Sequence, residues 1–366
     1  MRTIKIGIIG CGVISNTYIS DIKRLYRELE IAAVADVDLA RAQSSAGKYG
    51  IAKACTVEEL LADSEIELAV NLTPPAFHTQ INRKVLQAGK HLFCEKPFAL
   101  NLADAQEIVA LAREKGLKLG CAPDSFMGSS LSTCRKLLQD NWIGRPLYVC
   151  VNMMNCGVET WHPQPENFYR QGGGPLFDMG GYYFTALVSM LGSVESVYAV
   201  AAKGYDERTV YTQERFGQSF PVEVPTHYSG IITMESGVIV NANFSFDIWK
   251  TTMPMFEIYG TDGTLMVPDP NMHGGTPKVY RKEQKLAACF GGVDNGDGEP
   301  FALPELAQNV GTYVRCLGVA DLARAIRNDC EPQVNGELAV HVLEAILGMM
   351  ESAKSGQPYR LTTRYA

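Results

Sequence analysis

In the first third of the chain, short runs of aliphatic and β-branched residues alternate with longer segments whose apolar positions recur at helical spacing. The runs predict strands over 4–9, 31–35, 68–72, 91–94 and 117–121, and the longer segments predict helices over 57–62, 76–88 and 102–115. The second helix follows Pro74-Pro75, and the third follows Asn101, whose side chain suits an N-cap. Such alternation describes a parallel sheet covered by helices on both faces, a doubly wound α/β domain. After Ala122 the rhythm changes. One more helix over 131–139 leads through Trp142-Ile143-Gly144 to a strand over 147–153, and from Val194 onward the runs 228–233, 238–246 and 255–259 alternate apolar and polar positions. A sheet with one solvated face produces that pattern, so the second domain is expected to be α+β, built on a large open, mostly antiparallel sheet. Leu338, Val342, Leu343, Ile346, Leu347 and Met350 recur at helical spacing and predict a helix over Gly336–Ser355. The expected division is 1–123 and 124–366, and no internal repeat points to a solenoid.

Composition narrows the partners. The 366 residues fit two domains with substantial cores. With 33 basic and 40 acidic residues the net charge is −7, and no run of Lys or Arg offers the footprint that nucleic acid or anionic lipid requires. No apolar run approaches the roughly 18 to 20 residues that span a bilayer. Arg2 and Lys5 precede an apolar stretch that superficially copies a signal peptide, but Gly7, Gly10 and Gly12 interrupt it and no small-residue cleavage site follows. A cytoplasmic location is therefore expected. The ten cysteines, Cys289 among them, are scattered without CxxC pairs or histidine-ligand spacing, so most are expected to be buried apolar thiols and no metal site is expected.

Gly10-Cys11-Gly12-Val13-Ile14-Ser15 follows the first predicted strand and opens a helix. Bare backbone there can approach a pyrophosphate held at a helix N-terminus; a tight turn without a ligand is the alternative. Ser15 stands where a third glycine is usual. Asp36 ends the next predicted strand, where a carboxylate accepts hydrogen bonds from the adenosine ribose and repels a 2′-phosphate. With no Arg beside it, Asp36 favours NAD over NADP, while Asp38 reads as a solvated or capping acid. These features describe a Rossmann dinucleotide-binding domain.

Gly89-Lys90-His91-Leu92-Phe93-Cys94-Glu95-Lys96-Pro97 places a glutamate and a lysine at the carboxyl end of a predicted parallel strand, the edge where open α/β sheets bind ligands. With Thr73-Pro74-Pro75 and His78 upstream, this segment resembles the Gfo/Idh/MocA family of nicotinamide-dependent sugar and inositol oxidoreductases, and the resemblance runs through nearly the whole chain. It implies a catalytic Lys96, which also meets cofactor and substrate, with Thr73, Pro74 and Glu95 lining the nicotinamide and ribose and His78 as a positioning residue beside them. A second signature is Gly172-Gly173-Gly174-Pro175-Leu176-Phe177-Asp178-Met179-Gly180-Gly181-Tyr182-Tyr183. Pro175 suits the first turn of a helix, which puts Asp178 and Tyr182 on one face. Many relatives carry histidine at the position of Tyr182, where the imidazole takes the hydroxyl proton. A phenol with an unperturbed pKa near 10 needs a nearby cation for that task, and Lys96 is expected to supply it. A core or substrate-stacking aromatic is the alternative for Tyr182.

Asp124, in Ala122-Pro123-Asp124-Ser125-Phe126, departs from the family's usual residues and is expected either to bind a sugar hydroxyl or to cap the following helix. The segment from Glu159 to Arg170 is polar and ring-rich; Trp161 and His162 are expected to meet the sugar, with His162 an alternative proton acceptor. Tyr259 to Thr264 reads as a hairpin turn. The resemblance further implies assembly of the open sheet into a dimer or higher homo-oligomer. The implied activity is NAD-dependent oxidation of a secondary hydroxyl, with a lean to the 3-hydroxyl, of a pyranose or glycoside to a keto sugar. Two alternatives stand beside it: a redox-neutral NAD-dependent glycosidase, and a non-catalytic NAD- and sugar-binding regulator.

Overall fold

The computed structural model describes residues 2–290, 299–306 and 313–365, and within the helix ending at Phe290 it describes side chains as far as Leu286. Cys289 therefore lies outside the described residues. In chain order the elements are β1 Ile4–Ile9, α1 Val13–Leu25, β2 Leu29–Ala35, α2 Leu39–Tyr49, β3 Lys53–Cys55, α3 Val57–Ala62, β4 Leu68–Asn71, α4 His78–Gln87, β5 His91–Cys94, α5 Leu102–Glu114 and β6 Leu119–Cys121. There follow α6 Ser129–Gln139, β7 Pro146–Met154, α7 Pro175–Leu191, β8 Val194–Ala202, β9 Glu207–Thr209, β10 Ser219–Pro221, β11 His227–Met234, β12 Ile239–Ser245, β13 Phe256–Gly260 and β14 Gly263–Met266. The chain ends with β15 Lys278–Arg281, α8 Lys282–Phe290, β16 Phe301–Ala302, α9 Leu317–Asn328, α10 Gly336–Ser355 and β17 Tyr359–Arg360.

The chain divides into two compact units, Met1–Met127 with Tyr313–Leu343 and Gly128–Thr312 with Glu344–Ala366. A single boundary at 123/124 misses the return of 313–343 to the first unit. Hydrogen bonds explain that return: the Cys121 amide donates to the Val334 carbonyl at 2.8 Å, and the Gly318 amide to Asp124 Oδ2 at 2.8 Å.

In the first unit six parallel strands run in the order β3-β2-β1-β4-β5-β6. This is the Rossmann order, and its direction reverses between β1 and β4, the switch point where such sheets bind dinucleotides. β4 is buried at every position and β1 nearly so, as a sheet covered on both faces requires. Local caps set the helix starts. Asn101 accepts the Asp104 amide at 2.9 Å, as its N-cap position predicts, and Thr56 with Glu59 forms a capping box on α3. α4 begins at His78, later than its apolar pattern suggests, because Pro75–Phe77 takes a tighter 3-10 turn.

The second unit is built on a nine-stranded sheet in the order β16-β15-β14-β13-β7-β12-β11-β8-β17. It is antiparallel except where β7 and β12 pair in parallel. One row of register partners crosses seven strands as Val197, Ile232, Val240, Val149, Ile258, Leu265 and Val279. All seven side chains are buried, on the face that α7 covers. The neighbouring row, Tyr198, Ile231, Asn241, Cys150, Glu257, Met266 and Lys278, points to the other face and is mixed in character. That period of two sets up the alternation read in the sequence. β9 and β10 form a separate two-stranded ribbon. Among the described residues no helix is long and apolar enough to cross a membrane.

Candidate active site

The turn between β1 and α1 is shaped by two glycines with different tasks. Gly10 has φ +99°, and a Cβ there would stand 2.8 Å from the backbone of Leu72 and Thr73. Gly12 is the N-cap of α1, and a Cβ on it would meet nothing within 4 Å. No side chain caps α1, and its first turn holds no acid. The amides at Val13 and Ile14 therefore open an uncapped helix start, a ready site for an anion. Ser15, in place of the third glycine, turns its hydroxyl back to the Gly12 carbonyl at 2.7 Å.

Asp36 is anchored at both oxygens, Oδ2 by the Cys11 amide at 2.8 Å and Oδ1 by the Asp38 amide at 3.0 Å. The carboxylate thus ends β2 in a fixed orientation with lone pairs remaining for ribose hydroxyls. Burial pushes the Cys11 thiol up to about 11, so the sulfur in this turn stays neutral. Asp38 caps α2 through the Ala40 and Arg41 amides. Sequence adjacency misled on one point: no Arg adjoins Asp36, yet the first turn of α2 brings Arg41 Nη1 to 3.7 Å from Asp36 Oδ1. The glycine cradle, the open helix start and the oriented acid fit a dinucleotide.

At the carboxyl ends of β4 and β5 a second network fixes the Glu95-Lys96 turn. Glu95 Oε1 accepts the phenol of buried Tyr18 at 2.9 Å, and Oε2 accepts the Lys96 amide at 2.7 Å. Burial, reinforced by Glu95 and then Asp124, pushes the Tyr18 pKa well above its ordinary value, which keeps Tyr18 a donor. Asn71, at the end of β4, accepts both the amide and the hydroxyl of Thr73, at 3.1 and 2.7 Å, and donates to Asn82 at 2.8 Å. His78 is buried with Nδ1 2.6 Å from the Pro97 carbonyl and Nε2 2.7 Å from the Thr73 carbonyl. It joins the turn after β4 to the turn after β5. Lys96 is half-buried and Pro74 exposed.

In the second unit Gly174, with φ +88°, leads into α7, and Pro175 occupies its first turn. Asp178 lies in that turn, half-buried, with its amide donating to the Gly174 carbonyl at 3.0 Å. Tyr182 follows one turn later and is buried. The loop before α7 carries a row of rings, Trp161 to His162 at 5.3 Å and His162 to Phe168 at 4.8 Å between centroids. Burial lowers the His162 pKa, opposed by the nearby carboxylates of Asp178 and Glu166. His162 Nδ1 accepts the Gln164 amide at 3.0 Å. In the neutral ring the proton then sits on Nε2, which makes that nitrogen a donor. This geometry runs against His162 as a proton acceptor.

One further expectation changes. The N-cap of α6 is Gly128, with no side-chain cap, so Asp124 does not cap that helix. Asp124 is instead buried and accepts the Gly318 amide in the first turn of α9. Most of the described cysteines are buried free thiols, as expected; Cys330 is exposed and Cys150 and Cys156 are part-buried. Among the described residues no group of His, Cys, Asp or Glu could hold a metal ion. Tyr18 and Asn71 were not legible as site residues: each lies close to a motif without being part of it, and its role shows only in the partners the fold supplies, Glu95 for Tyr18, and Asn82 together with Thr73 for Asn71.

Residues 4–122 match the oxidoreductase family with NAD-binding Rossmann fold, and residues 131–266 match the GFO/IDH/MocA C-terminal domain. Trans-1,2-dihydrobenzene-1,2-diol dehydrogenase of Mus musculus is 32% identical over 305 residues, covering 83% of this chain and 81% of its own. D-glucoside 3-dehydrogenase of Escherichia coli K12 is 27% identical over 301 residues, 74% of this chain and 84% of its own. Among solved structures, an NAD binding oxidoreductase from Klebsiella pneumoniae superposes with a TM-score of 0.80 at 22% identity, covering 99% of this chain and 100% of that one. With a dinucleotide turn, an anchored Glu-Lys-Pro segment and both domains matched, the chain belongs to the Gfo/Idh/MocA family of NAD-binding oxidoreductases.

Proposed function

We propose that the chain oxidises a secondary ring hydroxyl of a pyranose or glycoside, at the 3-position, to a keto sugar. The observation that carries this reading is the Lys96 turn: Glu95, fixed by buried Tyr18, bonds the Lys96 amide and holds the lysine at the carboxyl end of β5. The turn at Gly10 and Gly12 and the anchored Asp36 would hold NAD, which would supply an acceptor for the hydride of the ring carbon. The chain's own residues manage the hydroxyl proton. Tyr182 takes it, Lys96 supplies the positive charge that a phenolate needs, and Asp178 precedes Tyr182 by one turn on α7. His162 donates from Nε2 to a substrate oxygen, and Trp161, 64% exposed, offers a ring face to the sugar. Asp36 supports NAD over NADP because its anchored carboxylate repels a 2′-phosphate, an effect that Arg41 moderates. The names of both curated relatives support oxidation of a ring hydroxyl, and one of them specifies the 3-position of a glucoside.

The test is incubation of the protein with NAD and a panel of hexoses, inositols and glycosides, followed by reduced-nicotinamide absorbance and mass spectrometry. A rise in absorbance with loss of two hydrogens from a pyranose is the expected result. Free aglycone without net reduction of NAD would replace this reading with the glycosidase, and bound NAD with every compound intact would replace it with the regulator.

The reading includes a cytoplasmic homo-oligomer. Tyr148, Tyr198, Val200, Ile231 and Ile239 are exposed on the sheet face opposite α7, an apolar patch that suits a second copy of the chain. Sedimentation of Ile231→Lys is expected to show a smaller species than the parent, while monomer stability changes by about 0.5 kcal/mol or less.

A further inference from the structure

The loop between β7 and α7 contains only two short 3-10 turns, Val158–Thr160 and Pro165–Phe168, yet several of its polar groups are buried. They converge on one guanidinium. Arg208, on β9, donates from Nη1 to the Cys156 carbonyl at 3.0 Å and to Glu159 Oε1 at 2.5 Å. Its Nη2 donates to the Phe246 carbonyl at 2.8 Å and to the Asp247 carboxylate. The Tyr169 phenol donates to the second oxygen of Glu159, and the guanidinium lies 5.3 Å from the Tyr169 ring centroid. The start of the loop, its end and the end of β12 are thus tied to one side chain that is 7% exposed.

The same ribbon grips the loop twice more. The Tyr211 amide donates to the Glu159 carbonyl at 2.9 Å, and Arg215 reaches the Pro163 carbonyl at 3.0 Å and the Glu166 carboxylate at 3.2 Å. Gly157 completes the fit: its φ is +95°, and a Cβ there would run into Glu159 and Tyr169. A buried cation between two carboxylates contributes little net stability compared with a packed apolar cluster, but it fixes geometry through directional bonds. Trp161 and His162 lie in the stretch between the points gripped by Arg208 and Arg215.

We propose that Arg208 is a positioning residue for the sugar: through Glu159 and the Cys156 carbonyl it fixes the loop that carries Trp161 and His162, and so sets sugar affinity without touching the sugar. This rests on the proposed function, in which those two rings meet the substrate.

The test uses the full chain with Trp142→Phe and Trp249→Phe, which leaves Trp161 alone of the three tryptophans. Two changes are made in that background: Arg208→Lys, and the uncharged set Arg208→Met, Glu159→Gln and Asp247→Asn. The readouts are acrylamide quenching of Trp161, thermal stability, and KM and kcat with methyl β-D-glucopyranoside as the probe and NAD as the second substrate. The expected result is stronger quenching and a probe KM raised about tenfold in both, with kcat and the KM for NAD within about twofold of the parent. The uncharged set regains most of the thermal stability that Arg208→Lys loses, while its probe KM stays high. Unchanged quenching and KM in Arg208→Lys, or a KM that recovers together with stability in the uncharged set, would overturn the proposal. If the background protein oxidises no glycoside, the functional reading falls by itself, and the clamp then stands or falls on the quenching alone.

Discussion

The turn after β5 and the loop before α7 both present groups assigned to chemistry, but they are held in different ways. Lys96 is bonded by its immediate neighbour, Glu95, and the longer reach, from Tyr18, secures that neighbour. His162 and Trp161 sit in a loop with little regular structure, tied down by Arg208 and Arg215 from a ribbon that follows much later in the chain. A short motif can carry the first arrangement almost whole. The second needs groups from separate elements to meet, so its amino acids look like an ordinary polar stretch until the chain has folded. The lesson is that a compact signature carries the Glu95-Lys96 pair almost whole, while the residues that hold the Trp161-His162 loop are scattered.

The sharpest attack on this contrast is Lys96→Ala. If the lysine supplies the positive charge that the proton transfer needs, its loss lowers kcat by about 10²- to 10⁴-fold, with NAD binding by equilibrium titration nearly unchanged. Retention of parental hydride transfer would falsify the assigned role. Next come two matched glycine changes. Gly10→Ala and Gly157→Ala each place a Cβ at a positive φ against occupied space, a strain of about 1–3 kcal/mol. Gly10→Ala is expected to weaken NAD binding on the order of tenfold and spare sugar KM, whereas Gly157→Ala is expected to do the reverse. If both changed the two constants together, the turns would not be separable.

A smaller effect is expected from Tyr18→Phe, which removes one buried hydrogen bond to Glu95 worth about 1 kcal/mol and should lower kcat about fivefold through a looser Lys96 turn. The smallest concerns pH at His162. Burial lowers this imidazole below its ordinary 6.5, so the folded chain prefers the neutral ring. That contribution is complete above pH 6.5 and is lost as pH falls below 6.5 toward the folded value, because the unfolded chain takes up the proton first. Protonation also ends the bond from the Gln164 amide to Nδ1. Sugar KM should therefore rise a few-fold on acidification, a rise that His162→Asn should abolish; an unchanged profile in that variant would assign the pH response to another group.

Much of the first unit was legible in its amino acids. Strands buried on both faces are continuous aliphatic runs, and Asn101 advertised its own helix start. Shorter elements escaped: β3, β9 and β10 are three residues each, too short for a period to show. The parallel pairing of β7 with β12 left no trace either, since the alternation of a strand reports its faces and not the direction of its neighbour. Glu95, Lys96 and Asp36 could be picked out from the motif and from strand position. Arg41 beside Asp36 could not, because the helix turn that delivers it skips the residues between.

What the amino acids alone determined is whatever depends on near neighbours: the doubly wound unit, the glycine turn that opens α1, the Glu95-Lys96 pair, and the placement of Asp178 and Tyr182 one helical turn apart. Their periods and spacings are properties of a single element. Tertiary structure decided which partners completed them. It sent Asp124 to the start of α9 instead of α6, returned 313–343 to the first unit, and buried Arg208 among groups from three separate segments. Buried polar groups must find partners wherever the fold brings them, and sequence distance places no limit on where those partners are.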